Sequence, residues 1–182
     1  MNAVKLLKKQ HRQVKKLFHQ AENASSPSAC QKAAEEVCDQ LAVHATIEEK
    51  IFYPESMLAK TEDLLREAVE EHLGAKRVIA DLLATDASDP QYLTKVIVLK
   101  ELIEHHVEEE EETLFPRIEK LLGDDTLEDM GTRMEALANE LLAKPAPRTA
   151  VPGETKAPAP LPEPAEHAKP GKSARLRGKA RA

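Results

Sequence analysis

The chain has 182 residues and a formal net charge of −6, with few aromatic residues (3%, no Trp) and many charged ones (32%). No apolar run approaches the ~20 residues that a transmembrane helix needs, and the first residues lack the apolar core of a signal peptide. These properties argue against a membrane protein, and we expect a soluble cytoplasmic protein with one domain and an appendage.

Ala, Leu, Glu and Lys dominate residues 1–143, which favours helices over sheets. Apolar residues at helical spacing predict helices over 2–22, 28–59, 61–85 and 90–122, followed by a shorter amphipathic helix over 126–143. Because the connections are short, consecutive helices should lie antiparallel. The predicted fold is therefore all-α, an up-down antiparallel four-helix bundle with a short extra C-terminal helix. Pro54 and Pro116 each predict a kink or an early end of a long helix.

Residues 144–182 differ in composition from the bundle. They are rich in Pro, Ala and Lys, and we expect this tail to be disordered. The tail carries nine Lys and Arg against three Glu, a net charge of +6, whereas residues 1–143 carry −12. A basic tail can bind nucleic acid or an acidic partner non-specifically. We expect a solvated tail or linker instead, since the domain itself is acidic.

The two cysteines, Cys30 and Cys38, are eight residues apart on one predicted helix. At 1.5 Å per residue their Cα atoms are roughly 12 Å apart, which is too far for a disulfide. We interpret them as two partly buried thiols.

One motif occurs twice, at 44–54 and at 106–116, with the shared pattern H-x3-E-E-x2-[FL]-[YF]-P. Residues four apart lie on the same face of a helix. Each copy therefore presents an imidazole beside a carboxylate: His44 with Glu48, and His106 with Glu110.

Each of the four long helices also places polar residues in its own apolar stripe. The six residues are His11, His44, Glu48, His72, His106 and Glu110. An unpaired buried polar group costs about 1–3 kcal/mol, and six of them would offset most of the roughly 5–15 kcal/mol by which a domain is stable. A metal site would satisfy all of them, and the alternative is a buried His–Glu hydrogen-bond network without metal.

Imidazole and carboxylate ligands without thiolate suit iron, manganese or zinc. Six ligands on four helices fit two metal ions better than one, with the two glutamates as bridges. Open coordination positions would then remain for dioxygen, nitric oxide or a peroxide.

These residues resemble the hemerythrin-like (HHE cation-binding) family over about residues 1–122. The resemblance implies an up-down four-helix bundle with a non-heme di-iron centre, and His11, His44, Glu48, His72, His106 and Glu110 match the family's H…HxxxE…H…HxxxE order. Oxygen-carrying members have a fifth histidine where this chain has Lys76. The resemblance therefore supports metal binding more than reversible oxygen transport. We interpret Lys76 as solvated, with contact to a bound anion as the alternative.

Several neighbouring residues receive no ligand role. His105 pairs with Glu109 only if the helical register is shifted by one, and His19 and His167 have no carboxylate partner in the pattern. The other acidic residues of the second motif, Glu108, Glu109, Glu111 and Glu112, are interpreted mainly as a solvated face. The aromatic and apolar residues Phe52, Tyr53, Leu114 and Phe115 are expected to line the pocket or to pack in the core.

The sequence thus predicts a metal-binding protein that binds or senses oxygen, nitric oxide or oxidants, with no assigned catalytic residue. Two alternatives stay open: an oxidoreductase that consumes peroxide or nitric oxide, and an iron sensor or buffer. The E-x-x-H, HExxH and GxSxG signatures of rival enzyme classes are absent from the sequence.

Overall fold

The structure is a computed structural model, and it describes residues 1–58 and 60–165. These residues form helices and no strand. The α-helices in chain order are α1 (Ala3–Glu22), α2 (Pro27–Ile47), α3 (Tyr53–Ser56), α4 (Glu62–Leu83), α5 (Tyr92–Glu109), α6 (Phe115–Leu121), α7 (Asp124–Leu142) and α8 (Val151–Glu154). The long helices α1, α2, α4 and α5 form the predicted bundle, and α7, the predicted extra helix, packs against α1 and α2.

Local sequence explains where the first two helices begin. The side chain of Asn2 accepts a hydrogen bond from the backbone N–H of Lys5 (2.9 Å), and Ser26 does the same for Ala29 (3.2 Å). Such caps satisfy N–H groups that have no partner within the helix. Pro27 follows Ser26 at the first helical position, where its missing N–H costs nothing.

The two prolines change the helices in a way that the sequence did not specify. A π-helical turn precedes each of them, Glu48–Phe52 before Pro54 and Glu110–Leu114 before Pro116. After Pro54 the helix ends at Ser56, earlier than predicted, whereas after Pro116 it continues to Leu121. The wide turn moves the hydrogen-bond ladder by one residue, since the Tyr53 N–H donates to the carbonyl of Glu48. Such single wide turns are frequent at functional sites.

The core of the bundle is divided in two. One apolar cluster contains Leu7, Leu65 and Phe115, and the other contains Val14, Ile79 and Leu99. The buried polar residues of α1 and α4, His11 and His72, come between these clusters along their helices. A buried polar layer therefore crosses the middle of the bundle.

Both cysteines are free, as predicted, and both are buried rather than partly buried. Burial raises the pKa of Cys38 to about 12, so its thiol stays protonated at neutral pH and is a poor nucleophile.

Residues 147–154 are helical rather than disordered, which corrects the predicted start of the tail at 144. Pro147–Ala150 forms a 3₁₀ turn that continues into α8. Arg148 binds carboxylates on α2, and Val151 is buried (1% exposed). The average composition of this segment resembles that of a linker. Val151 and Arg148 nevertheless fix it to the bundle. The basic residues 169–181 lie outside the described residues.

No helix among the described residues is both long enough and apolar enough to cross a membrane.

Candidate metal centre

The structure brings the six predicted residues together in the polar layer. Their exposed fractions are 7% for His11, 5% for His44, 0% for Glu48, 4% for His72, 3% for His106 and 2% for Glu110. Each helix of the bundle contributes one histidine, and the two glutamates follow α2 and α5 at the first residue of each π-helical turn. Side chains distant in sequence therefore converge on one buried volume.

The ligand atoms form two groups. Nε2 of His11 lies 3.3 Å from Glu110 Oε2, and Nε2 of His44 lies 3.3 Å from Glu48 Oε2. On the other side, Nε2 of His72 lies 3.3 Å from the same Glu48 oxygen. Nε2 of His106 lies 3.6 Å from Glu110 Oε2. Each carboxylate thus contacts a histidine of both groups, which is the arrangement that bridging ligands require.

The outer nitrogen of every histidine in the layer faces an oxygen atom of a neighbouring helix or turn. The Nδ1 contacts are His11 with Glu111 (2.8 Å), His44 with Gln10 (2.8 Å), His72 with Glu49 (2.9 Å) and His106 with Glu71 (2.8 Å). An oxygen acceptor at Nδ1 places the proton there and turns the lone pair of Nε2 towards the centre. Histidines that bind metals have this arrangement almost without exception.

The inner nitrogens of the histidines face each other in pairs. The Nε2 atoms of His11 and His44 are 3.2 Å apart, as are those of His72 and His106. With the protons on Nδ1, each of these contacts brings two lone pairs together. A cation between the rings would accept both.

The carboxylates are also without sufficient partners. Both side-chain oxygens of Glu48 and one oxygen of Glu110 are buried and have no hydrogen-bond partner. Such orphaned groups are rare in native proteins and point to a missing ion or water. Because the unsatisfied atoms are oxygen and imidazole nitrogen, they fit a transition-metal ion of intermediate hardness.

The two buried glutamates have pKa values that are shifted in opposite directions. Desolvation raises the pKa of Glu48 well above its ordinary value, and the neighbouring Glu110 raises it further. Desolvation opposes ionisation of Glu110 too, but His106 and His11 outweigh it and hold its pKa at about 2. Without a cation, therefore, only one of the two carboxylates is stable as an anion at neutral pH.

Burial and the positive charge of neighbouring histidines also lower the pKa of His44 well below its ordinary value. Desolvation lowers the pKa of His72 as well. Neutral imidazole is the form that binds metals, so the site favours the ligand form of both side chains.

Tyr53 was expected to line the pocket or to pack in the core, but the sequence analysis gave its hydroxyl no role. Its hydroxyl donates to Glu110 Oε1 (3.2 Å) and lies 3.2 Å from Nε2 of His72. Its ring stacks on His72, just as the ring of Phe115 stacks on His11. The two aromatic residues occupy equivalent positions in the repeated motif, and this difference between Tyr and Phe was the signal available in the sequence.

Lys76 is buried (8% exposed) rather than solvated. Its Nζ binds Glu49 Oε1 and Oε2 (2.8 Å each) and Glu154 Oε2 (2.8 Å). Burial alone would lower the pKa of Lys76, but the two carboxylates raise it. The lysine at the position of the missing fifth histidine is therefore held by anions of the protein itself. It also fixes Glu49, the hydrogen-bond partner of His72.

The acidic run of the second motif has more than one role. Glu111 is a hydrogen-bond partner of His11 and not only part of a solvated face. His105 is exposed and lies 3.5 Å from Glu109 and Glu71, outside the central layer. The predicted register, with His106 and Glu110 inside, is therefore the one observed. His19 is exposed, and His167 lies outside the described residues.

A cavity of about 30 Å³ adjoins the histidine side of the centre. All four histidines of the layer line it, and most of its remaining wall is apolar, with Val14, Leu41, Ile79, Ile103 and Val151. A volume of this size holds one or two water-sized molecules. Gln10 and Lys76 are its other polar lining residues, so the centre adjoins a small and mainly apolar compartment.

Comparisons with known proteins agree with this geometry. The sequence model of the hemerythrin HHE cation binding domain matches residues 2–118. A crystal structure of a hemerythrin HHE cation binding domain-containing protein from Mycobacterium kansasii is 26% identical. It covers 83% of this chain and 99% of its own, with a TM-score of 0.70.

A protein from Nostoc sp. (strain PCC 7120) named DNA nickase is 26% identical over 141 residues, 78% of this chain. The chain spans 40% of the length of that relative. The family match covers most of the bundle and contains all six residues of the central layer, so the chain belongs to the hemerythrin HHE cation-binding family.

Proposed function

We propose that the protein binds two non-heme iron ions in the central layer and uses them to bind or sense dioxygen, nitric oxide or a peroxide. His11 and His44 would hold one ion, and His72 and His106 the other, with Glu48 and Glu110 shared between them. The orphaned oxygens of the two buried glutamates carry this proposal, since a pair of metal ions would satisfy them together with the facing imidazole nitrogens.

The donor set supports iron over the other candidates. Structural zinc sites are usually closed by four ligands and often include thiolate, whereas both cysteines lie in the second apolar cluster, away from the centre. Manganese accepts the same donors and remains the second choice. When bound, the ions would supply open positions at which a small ligand coordinates.

The cavity supports the proposed class of ligand. Its volume of about 30 Å³ suits a diatomic gas or a peroxide, and its apolar wall disfavours charged molecules because an ion would lose its hydration there. The size of the cavity and its mainly apolar wall thus favour small, uncharged ligands.

Tyr53 favours an oxidoreductase as the second candidate. Reduction of peroxide or nitric oxide consumes protons, and the Tyr53 hydroxyl is a proton donor inside the layer, 3.2 Å from Glu110. Burial and the neighbouring carboxylates raise the pKa of Tyr53 well above its ordinary value, so the phenol stays protonated at neutral pH and can donate a hydrogen bond within the layer.

Anaerobic loading with ferrous iron, followed by titration with nitric oxide and separately with dioxygen and hydrogen peroxide, tests the proposal. We expect a saturable change in the visible spectrum with at least one of these ligands. Iron-loaded protein whose spectrum responds to none of them would contradict the sensing or binding role. Steady-state consumption of peroxide or nitric oxide above that of free iron would establish the second candidate.

The name of the Nostoc relative does not lead us to propose a nickase. This chain spans 40% of that protein, and residues 1–143 carry a net charge of −12, which disfavours contact with phosphates. Any binding of nucleic acid would fall to the basic tail.

A further inference from the structure

The segment 144–154, which we name the strap, leaves the end of α7 and passes over the bundle beside the central layer. It lies outside residues 2–118, the part that matches the family. Its central side chain, Val151, is 1% exposed and packs in the second apolar cluster. Val151 also lines the small cavity together with all four histidines. The compartment at the centre is therefore completed by a residue that lies outside the segment matched by the family's sequence model.

Two ionic anchors hold the strap, one on each side of Val151. On one side the guanidinium of Arg148 binds Asp39 and Glu35 (2.6 Å each), and its backbone N–H donates to Asp39 (2.9 Å). Arg148 is 18% exposed in its side chain, so these contacts are screened less by solvent than surface pairs are.

On the other side of Val151, Glu154 binds the buried Lys76 (2.8 Å). The same lysine binds Glu49, which accepts the Nδ1 hydrogen bond of His72. The strap is therefore connected to the hydrogen-bond partners of the histidines as well as to the cavity wall.

The turn that enters the strap is strained. Ala146 has φ 47°, in the left-handed region that residues with a Cβ atom rarely adopt. A strained turn persists only where its surroundings hold it, and the two anchors provide that restraint.

We propose that Val151 is a specificity-determining residue of the centre: the strap forms the outer wall of the ligand cavity and limits the size of the molecule that reaches the histidines. The effect of this wall on the choice of ligand rests on the proposed function, whereas the position of Val151 at the cavity does not depend on bound metal. In an apolar pocket one methylene changes discrimination by about 10- to 200-fold, so truncating Val151 has a measurable effect.

Xenon provides a test that does not require iron, because it enters apolar cavities. We would titrate metal-free protein with xenon and follow the methyl signals of Ile79 and Ile103, which line the cavity, by NMR. Val151→Ala should tighten xenon binding by about tenfold, and Val151→Ile should weaken it. Leu161→Ala, at a side chain that is 52% exposed, is the matched control and should match the wild type. Equal xenon affinity in the wild type and both Val151 variants would overturn the proposal.

The anchors give a second test. Glu154→Gln combined with Arg148→Ala should loosen the strap and speed hydrogen exchange of the backbone N–H groups over 147–154. Glu62→Gln, in an exposed pair with Arg66 away from the strap, is the control. Unchanged exchange in the double variant would show that these contacts do not hold the strap.

In iron-loaded protein, the Val151 variants should change the binding of nitrosobenzene, a bulky ligand, relative to nitric oxide. Val151→Ala should favour the larger ligand by about tenfold. An unchanged ratio would contradict the role in specificity even if xenon confirms the wall. If the protein binds no iron, the proposed function fails while the xenon experiment still decides the position of the wall.

Discussion

The Nε2 atoms of His11 and His44 face each other across 3.2 Å while their outer nitrogens contact Glu111 and Gln10. With the proton of each neutral ring on Nδ1, Nε2 has only a lone pair to offer, so the contact is unfavourable unless a metal ion or a further proton lies between the rings. The same relationship occurs between His72 and His106. The bundle is therefore arranged for cations at its centre, and its behaviour without them follows from this.

Removal of metal should destabilise the protein. Ligands that bind only the folded state stabilise it by about 2.7 kcal/mol at a concentration of 100 times Kd. We expect the melting temperature of iron-loaded protein to fall after treatment with a chelator and to recover on reloading. An identical melting temperature in both forms would mean that the ions do not interact with the native bundle.

Two matched substitutions should have opposite effects on the metal-free protein. The pKa of Glu48 is raised by burial and by Glu110, so its contribution to stability is present at low pH and lost as pH rises through the folded pKa. Glu48→Gln removes that loss. We expect the metal-free variant to exceed the wild type by about 1–3 kcal/mol at pH 7, with the difference vanishing below pH 4.5, the ordinary pKa of the carboxyl.

Glu110→Gln is the counterpart. Its carboxyl has a pKa of about 2 because His106 and His11 outweigh its desolvation, so its stabilising effect is present above pH 4.5 and is lost as pH falls towards 2. The metal-free variant should be less stable than the wild type at pH 7, and the difference should shrink in acid. Urea titrations at several pH values measure both effects. If the difference in unfolding free energy from the wild type changed with pH in the same direction for both variants, the opposite pKa shifts of the two glutamates would be contradicted.

The hydrogen-bond partner of His11 should tune metal affinity. Glu111→Ala removes the oxygen that lies 2.8 Å from His11 Nδ1, and loss of such a partner typically lowers metal affinity by about 10- to 100-fold. Competition with a chelator measures the change. Glu112→Ala, at the exposed next residue of the same turn, is the control and should leave affinity unchanged. Equal affinities for the two variants would show that orientation of His11 does not depend on Glu111.

Tyr53→Phe removes the hydroxyl of this residue and keeps its ring. The ring stacking on His72 is kept, whereas the hydrogen bond to Glu110 is lost at a cost of about 1–3 kcal/mol. We expect the visible spectrum of iron-loaded protein and its response to nitric oxide to change. Tyr92→Phe, at a tyrosine buried in the second apolar cluster, should alter neither. A Tyr53→Phe spectrum identical to that of the wild type would remove the hydroxyl from the site.

The sequence predicted the bundle and the membership of its central layer because both depend on local periodicity. His44 and Glu48 are four residues apart, so any regular helix places them on one face. His11 and His72 lie within the apolar stripes of their helices, so their side chains must point into the bundle. The prolines were harder to interpret. Proline predicts a defect in a helix, but not whether the turn widens, bends or ends, and the π-helical turns at Glu48 and Glu110 are one of several solutions.

Contacts between distant segments were not predictable from composition. The strap has the Pro and Ala content of a disordered linker, yet Val151 and Arg148 find partners on the bundle. Lys76, which was interpreted as solvated, binds Glu154 in that same strap as well as Glu49. A single sequence gives no information on such pairings, because each involves only one or two residues on a segment without periodicity.

Metal content is the most direct test of the central claim that the six buried residues hold two ions. Elemental analysis of iron-reconstituted, desalted protein should give two iron ions per chain for the wild type. Glu48→Ala combined with Glu110→Ala, which removes both bridging carboxylates, should not retain two. A wild type that keeps no iron, or a double variant that keeps two ions per chain, would contradict the account.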